Sequence, residues 1–233
     1  TVIGSSSSGK TLLSYLLSGI IDDYTGNIIS TYKNREIGYI FQRPEEAFIF
    51  ETVKEELAFG IRKYNYRVDE IDKRMEEALK MVGLPKFYLD RNPFTLSSGE
   101  KEALALATIL ILNPKVIIID DPSISLDNYM CDHLIKLLKK LCNRYKKTII
   151  IFSSNTQFLV RVTDNYVLLK NGKIVLSGNR RNLSDNIGKF KNANVCIPRI
   201  TEFISNANKK YNANLEYTFD IKELMKDIYR NVK

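Results

Sequence analysis

Three residues into the chain stands Gly4-Ser5-Ser6-Ser7-Ser8-Gly9-Lys10-Thr11, which fits the pattern Gly, four residues, Gly-Lys-Ser/Thr. A loop of such small residues can wrap consecutive backbone N–H groups round a phosphate only if a strand delivers it and a helix leaves it, because the helix N-terminus adds its partial positive charge there. The flanks meet both conditions. Residues 1–3 read as the end of a strand, and residues 10–20 carry Leu12, Leu13, Leu16 and Leu17 at helical spacing, ending near Gly19. In this pattern Lys10 reaches the β- and γ-phosphates of a nucleotide and the Thr11 hydroxyl ligates Mg2+. Four serines replace the usual mix with a central glycine, so Ser7 needs a backbone conformation that glycine adopts more easily.

A second segment constrains the chemistry further. Residues 116–119, Val-Ile-Ile-Ile, lead into Asp120, Asp121 and Pro122. Four consecutive apolar residues suit a strand inside a parallel sheet covered on both faces. Asp120, at its end, is placed to hold Mg2+ through water beside Lys10, and Asp121 to act on an attacking water. Further strands are expected at residues 26–30, 36–41 and 148–152. Helices are expected over 68–82 on the apolar positions Ile71, Met75, Leu79 and Met81, from Ser97 through residue 111, and over 132–142 on Leu134, Leu137, Leu138 and Leu141. Residues 167–170 and 173–176, joined by Asn171-Gly172, read as a hairpin with a two-residue turn. The Asn- and Lys-rich last 50 or so residues show one short helical pattern near residues 221–229. Strands alternating with helices indicate an α/β fold.

Composition narrows the class. With 233 residues, 44% hydrophobic and 27% charged, the chain suits one large globular domain, alone or with a small appendage. It holds no run of about 18 apolar residues and no secretory signal pattern, so a soluble, intracellular protein is expected. Its first residue is Thr, just before the loop, which suggests that an upstream piece is missing. Cys131, Cys142 and Cys196 form no CxxC pair, as expected of thiols in a reducing compartment. The single histidine, His133, excludes histidine metal clusters and any Ser-His or Cys-His site that does not use it. A net charge of +8 is compatible with nucleic acid, anionic lipid or nucleotide and selects none of them.

A third segment, Leu96-Ser97-Ser98-Gly99-Glu100, lies between the first two and opens a helix. It resembles the LSGGQ signature of ABC-type ATPases, and four other pieces fall in that family's order. Phe41-Gln42 resembles the Q-loop and Ser125-Leu126-Asp127 the D-loop; Ser153-Ser154-Asn155 stands where the switch segment normally reads Ser/Thr-His-Asp; residues 170–174 resemble the closing hairpin. The resemblance covers residues 1 to about 180. Within the family, residues 41–48 and 52–60 are similar to the stretch after the Q-loop in ATPase subunits of energy-coupling factor transporters, the cobalt, nickel and vitamin importers. Residues 198–202 and 219–224 resemble those subunits' short C-terminal domain.

The resemblance implies an α/β phosphate-loop NTPase with a mostly parallel sheet core, a helical subdomain at about residues 44–112 and a short C-terminal appendage. The nucleotide-binding domain would span residues 1–178, with its N-terminal strands missing, and a small dimerisation-type domain residues 179–233. It further implies a sandwich dimer with a second ABC ATPase subunit, identical or not, in which ATP and Mg2+ sit between the phosphate loop of one subunit and the signature of the other. Gly4, Ser5, Ser6, Ser7, Ser8, Gly9, Lys10 and Thr11 would hold ATP in one subunit. Ser97, Ser98, Gly99 and Glu100 would meet the nucleotide on the opposite one. Thr11, Gln42 and Asp120 would serve the metal, with Asp121, Gln42 and Ser154 as catalytic residues. Closure would drive a transmembrane coupling protein and a substrate-binding membrane subunit from the inner face of the cell membrane, with no nucleic acid involved.

Departures from the family pattern set the remaining expectations. Asp121 stands where the family has Glu, about 1–1.5 Å shorter, a misplacement on a scale that can lower a rate about 100-fold. Ser154 replaces the switch histidine and offers one donor with no imidazole. Lys10 and Gln42 are only 32 residues apart, which suggests a trimmed β-subdomain, and the family's adenine-stacking aromatic would lie upstream of Thr1. Weak hydrolysis at this chain's own site is therefore expected, with the signature serving a partner. The alternatives are a soluble ABC ATPase of nucleic-acid or iron–sulfur metabolism, and a non-hydrolysing regulatory subunit.

Overall fold

The computed structural model describes residues 1–62, 67–122, 126–216, 218 and 220–231. In chain order the elements are β1 (Val2–Gly4), α1 (Lys10–Ser18), β2 (Ile37–Ile40), α2 (Val53–Ile61), α3 (Val68–Val82), α4 (Ser98–Leu110), β3 (Val116–Asp120), α5 (Asn128–Asn143), β4 (Thr148–Ser153), α6 (Thr156–Val162), β5 (Asn165–Lys170), β6 (Lys173–Asn179), α7 (Ile187–Asn192), α8 (Arg199–Tyr211) and α9 (Ile221–Asn231). The chain divides into two compact units, Thr11–Ile151 and a second made of Thr1–Lys10 with Phe152–Lys233.

In the unit of residues 11–151, β2 and β3 pair in parallel, with Ile37 opposite Val116 and Ile40 opposite Ile119, and β4 follows β3. Every residue of β3 is buried, as a continuous apolar strand requires. The helices α2, α3 and α4 pack on one another. Met75, Ala78 and Leu79 of α3 are buried at helical spacing, and Gly83 ends that helix in the left-handed conformation at φ +83°. In α5, Leu134, Ile135, Leu138 and Leu141 face inward, and the Asp127 carboxylate caps the helix by accepting from Met130 N–H at 2.8 Å.

In the other unit β1 lies between the end of β4 and β5, parallel to both, and β6 returns antiparallel to β5. The β5–β6 turn is Asn171-Gly172 with φ of +50° and +73°, the positive pair that a two-residue turn of this type demands. Towards the C-terminus Ile204, Leu215 and Leu224 form a small core of their own, flanked by Ile200, Ala207, Ala213 and Ile228.

Two sequence expectations differ from the structure. Residues 26–30 form no strand: Ile28 and Ile29 are exposed, the latter 96%, so the two adjacent apolar side chains there are not buried by any partner element. The face of α1 is also turned. Leu12 is 56% exposed, whereas Ser14 is fully buried and donates to Thr11 O at 2.8 Å, which satisfies its hydroxyl inside the helix.

Candidate functional site

The loop between β1 and α1 requires glycine at two places, one for space and one for backbone conformation. A Cβ on Gly4 would lie 2.4 Å from Ser8 Oγ and 2.8 Å from the Leu169 carbonyl oxygen, so only glycine fits. Gly9 has φ +99°. Ser7 adopts φ +61°, the left-handed conformation expected of it. Gly172 N–H donates to Ser8 O at 2.9 Å, so the β5–β6 turn braces the loop. Lys10 is buried, and its ammonium donates to Gly4 O at 3.0 Å and Ser5 O at 2.8 Å, drawing the side chain back over the loop. Ser8 is 2% exposed and its hydroxyl has no hydrogen-bond partner. A buried hydroxyl left in that state is costly unless an acceptor such as a phosphate oxygen reaches it.

The peptide bond from Lys10 to Thr11 carries the chain into the other unit, where Thr11 Oγ1 donates to Asp120 Oδ2 at 2.7 Å. A hydroxyl and a carboxylate in direct contact are the oxygen donors that Mg2+ prefers. Asp121 is buried with φ +46°, a left-handed conformation that a short polar side chain tolerates. Gln42 is exposed two residues beyond β2. The strand leading to it is held by Tyr39, whose hydroxyl pairs with Ser14 Oγ at 2.9 Å and whose ring packs edge-on against Tyr15 and Phe41, with centroids 5.5 and 4.9 Å away. Burial first, then the nearby Asp120 charge, pushes the Tyr39 phenol far above its ordinary range, so it stays neutral.

The signature segment forms a reciprocal cap on α4. Ser97 Oγ accepts from Glu100 N–H at 3.4 Å, and Glu100 Oε2 accepts from Ser97 N–H at 2.8 Å. Ser97 and Ser98 are exposed; Gly99 is buried, and a Cβ there would lie 2.5 Å from Met130 Cε. The Tyr88 hydroxyl donates to Glu100 Oε1, and the Arg91 guanidinium lies 4.4 Å from the centre of the Tyr88 ring. These donors, Tyr88 foremost and then Ser97, hold the Glu100 carboxyl below the usual carboxylate range.

Two carboxyl features escaped the sequence reading. Tyr88 carries no motif that ties it to Glu100; only the fold of residues 86–100 brings them together. Glu102 lies within the otherwise apolar inward face of α4, 6% exposed, with one oxygen unpartnered, and lines a cavity of about 250 Å3 together with Gly99, Met130 and Leu134. Burial, reinforced by the charge of Glu45, pushes its carboxyl up to about 8. A glutamate directly before the Ala and Leu run of residues 103–107 was the available signal.

Ser153 is fully buried at the end of β4, its hydroxyl accepting from Asn155 N–H at 3.0 Å, and the Asn155 side chain caps α6 through Phe158 N–H at 3.2 Å. Ser154 between them is exposed. Ser125 of the expected D-loop lies outside the described residues. His133 is exposed and paired with the Tyr129 hydroxyl at 3.2 Å. Among the described residues no group of three His, Cys, Asp or Glu could hold a metal, and no helix is long and apolar enough to cross a membrane.

Residues 1–124 match the ABC transporter family. The energy-coupling factor transporter ATP-binding protein EcfA2 of Clostridium acetobutylicum is 30% identical over 98% of this chain and 84% of its own length. The corresponding EcfA of Methanocaldococcus jannaschii is 30% identical over 100% of this chain and 87% of its own. Among solved structures, cbiO1 of Clostridium perfringens, described as part of the ABC transporter complex cbiONQ, superposes with a TM-score of 0.73 at 29% identity, over 87% of this chain and 85% of that one. A dimeric post-hydrolysis state of the ATP-binding cassette MJ0796, bound to ADP and Pi, superposes with a TM-score of 0.64 at 26% identity, covering 77% of this chain and 84% of that one. A glycine-locked loop, a Thr11–Asp120 pair and a capped signature helix thus occur in a chain that belongs to the ABC transporter ATPases, among the energy-coupling factor transporter ATP-binding proteins.

Proposed function

We propose that this ATPase subunit binds Mg-ATP with residues 4–11 and works at a dimer interface, where its α4 N-terminus meets the nucleotide held by the facing subunit. The loop N–H groups, the unpartnered Ser8 hydroxyl and the Lys10 ammonium are the phosphate donors. Thr11, Gln42 and Asp120 would hold Mg2+, which when bound neutralises phosphate charge. Asp121 orients the attacking water, and Ser154 offers one hydrogen bond towards the γ-phosphate. Ser97, Ser98, Gly99 and Glu100 form the surface presented in trans. The observation that carries this reading is the Thr11–Asp120 hydrogen bond one residue beyond the buried Lys10.

Hydrolysis at this chain's own site is slow, since Asp121 is a methylene short of the family's Glu and Ser154 lacks an imidazole. A facing subunit with a complete site would then carry the faster turnover. Residues 179–233 form a dimerisation-type domain, a reading supported by the separate small core around Leu224. The partners are a second ABC ATPase subunit, a transmembrane coupling protein and a substrate-binding membrane subunit, on the inner face of the membrane. The names of the relatives support this, as do Ile49, Phe59 and Phe94, three large apolar side chains exposed in the helical stretch after Gln42.

Steady-state Mg-ATP turnover of the chain alone, beside Asp121→Asn, tests the reading. Bound ATP with turnover far below that of the complex is the expected result. A fast homodimer whose activity ignores Asp121→Asn refutes it.

A further inference from the structure

A serine hydroxyl has one hydrogen to donate. In the signature that hydrogen is already placed: Ser97 Oγ donates to Glu100 Oε2 at 2.8 Å, and the same carboxylate oxygen takes the Ser97 N–H at 2.8 Å. The positive end of α4 therefore has an anion of its own, where the family's Gln would be neutral. The carboxylate is held from the other side as well, by the Tyr88 hydroxyl on Oε1. Arg91, stacked over the Tyr88 and Phe87 rings at 4.4 and 5.1 Å, adds positive charge nearby. Both Ser97 and Ser98 are exposed, so the segment can be reached from outside.

We propose that Glu100 is a positioning residue that keeps the signature self-capped, so that a γ-phosphate arriving on the facing subunit must displace the Glu100 carboxylate from Ser97 before it can take that hydroxyl. This rests on the reading that the α4 N-terminus meets nucleotide in trans. Two anions compete for one helix end and one hydroxyl hydrogen. Tyr88 provides the displaced carboxylate with a place to stay, since its hydroxyl holds the other oxygen, and Arg91 over the Tyr88 ring adds positive charge nearby. Assembly round ATP is thereby made harder than the signature's small residues alone would make it, while ATP binding to the chain's own loop is untouched.

The test compares Glu100→Gln and Ser97→Ala in the full chain purified with the subunits it assembles with, a slowly hydrolysed ATP analogue being supplied as the ATP so that neither nucleotide site turns over. Two quantities are read: the ATP concentration for half-maximal nucleotide occlusion in the assembly, and the affinity of the isolated chain for a fluorescent ATP. Glu100→Gln keeps a carbonyl acceptor for the cap and removes the charge. It is expected to lower the half-maximal concentration about fivefold, the scale of one charge at a helix N-terminus, with the isolated chain's affinity unchanged. Ser97→Ala should raise it at least as much. An unchanged or raised concentration in Glu100→Gln, with Ser97→Ala impaired, overturns the proposal and leaves Glu100 a plain helix cap. No effect of Ser97→Ala removes the trans reading of the signature and the proposal with it. An isolated chain that fails to bind ATP overturns the phosphate-loop reading first, a different result from either.

Discussion

Thr11 and Asp120 are 109 positions apart in sequence and 2.7 Å apart in space, with the Thr11 hydroxyl donating to Asp120 Oδ2. The first residue follows the loop lysine and the second ends the buried strand β3, and the reading proposed above gives both to the same Mg2+. Asp120 is 2% exposed, and removing a donor from a buried carboxylate costs about 1–3 kcal/mol. Thr11→Val should therefore lower the melting temperature by several degrees, about 2–4 °C per kcal/mol for a chain of this size. Mg2+ should then no longer strengthen nucleotide binding. Thermal unfolding with ATP, with and without Mg2+, checks both.

The loop itself gives a pair of opposite outcomes. Gly4→Ala places a Cβ against Ser8 Oγ and the Leu169 carbonyl, and the second of these is backbone that cannot swing away. A loss of about 1–3 kcal/mol is expected, together with nucleotide binding. Ser7→Gly relieves a left-handed serine at φ +61°, worth about 1–2 kcal/mol before the added freedom of the unfolded glycine is subtracted. The net is a small rise in melting temperature with ATP affinity kept. Calorimetry and nucleotide titration on the two variants separate steric from conformational control of the loop.

Much of this was legible because it is local. The helix expected at residues 68–82 coincides with α3, the apolar run before Asp120 is a fully buried parallel strand, and Asn171-Gly172 makes the turn its φ preferences demand. What escaped depends on distant neighbours. Helix α2 buries only three apolar side chains, Val53, Leu57 and Ile61, beside Glu56, too thin a stripe to read in a charged stretch. Helix α8 buries Thr201, Ile204 and Ser205, so an Asn- and Lys-rich sequence conceals its inward face. Asp121 sits after a strand whose pattern says nothing of a left-handed residue. Glutamates are read as solvated, which is why Glu102 went unseen and Glu100 was seen only as a signature position.

The small C-terminal core has its own test. Leu224 is 7% exposed and packs with Ile204 and Leu215, so Leu224→Ala should destabilise by about 2–5 kcal/mol if the cluster unfolds with the rest. A small separate core predicts a local effect instead. Amides of α8 and α9 should lose hydrogen-exchange protection while those of α4 and β3 keep theirs, and ATP binding should persist. The nearby Lys191–Glu202 ion pair is largely exposed on its lysine side, and Lys191→Ala should change stability by less than about 1 kcal/mol.

Glu102 predicts a pH dependence with a definite sign. Its folded-state carboxyl is pushed from 4.5 up to about 8 by burial, with Glu45 adding to the push, so the folded chain holds a proton that the unfolded chain releases. Stability then falls as pH rises from about 4.5 to about 8, because the unfolded state binds fewer protons across that window. Below it the carboxyl is neutral in both states and nothing is lost. Glu102→Gln is neutral at every pH and nearly the same size, so the variant should match the native chain near pH 4.5 and exceed it increasingly towards pH 8. Urea unfolding at intervals across that range measures the difference. A constant gap between the two chains would mean that Glu102 stays ionised in the fold and that its unpartnered oxygen is met by a donor from outside.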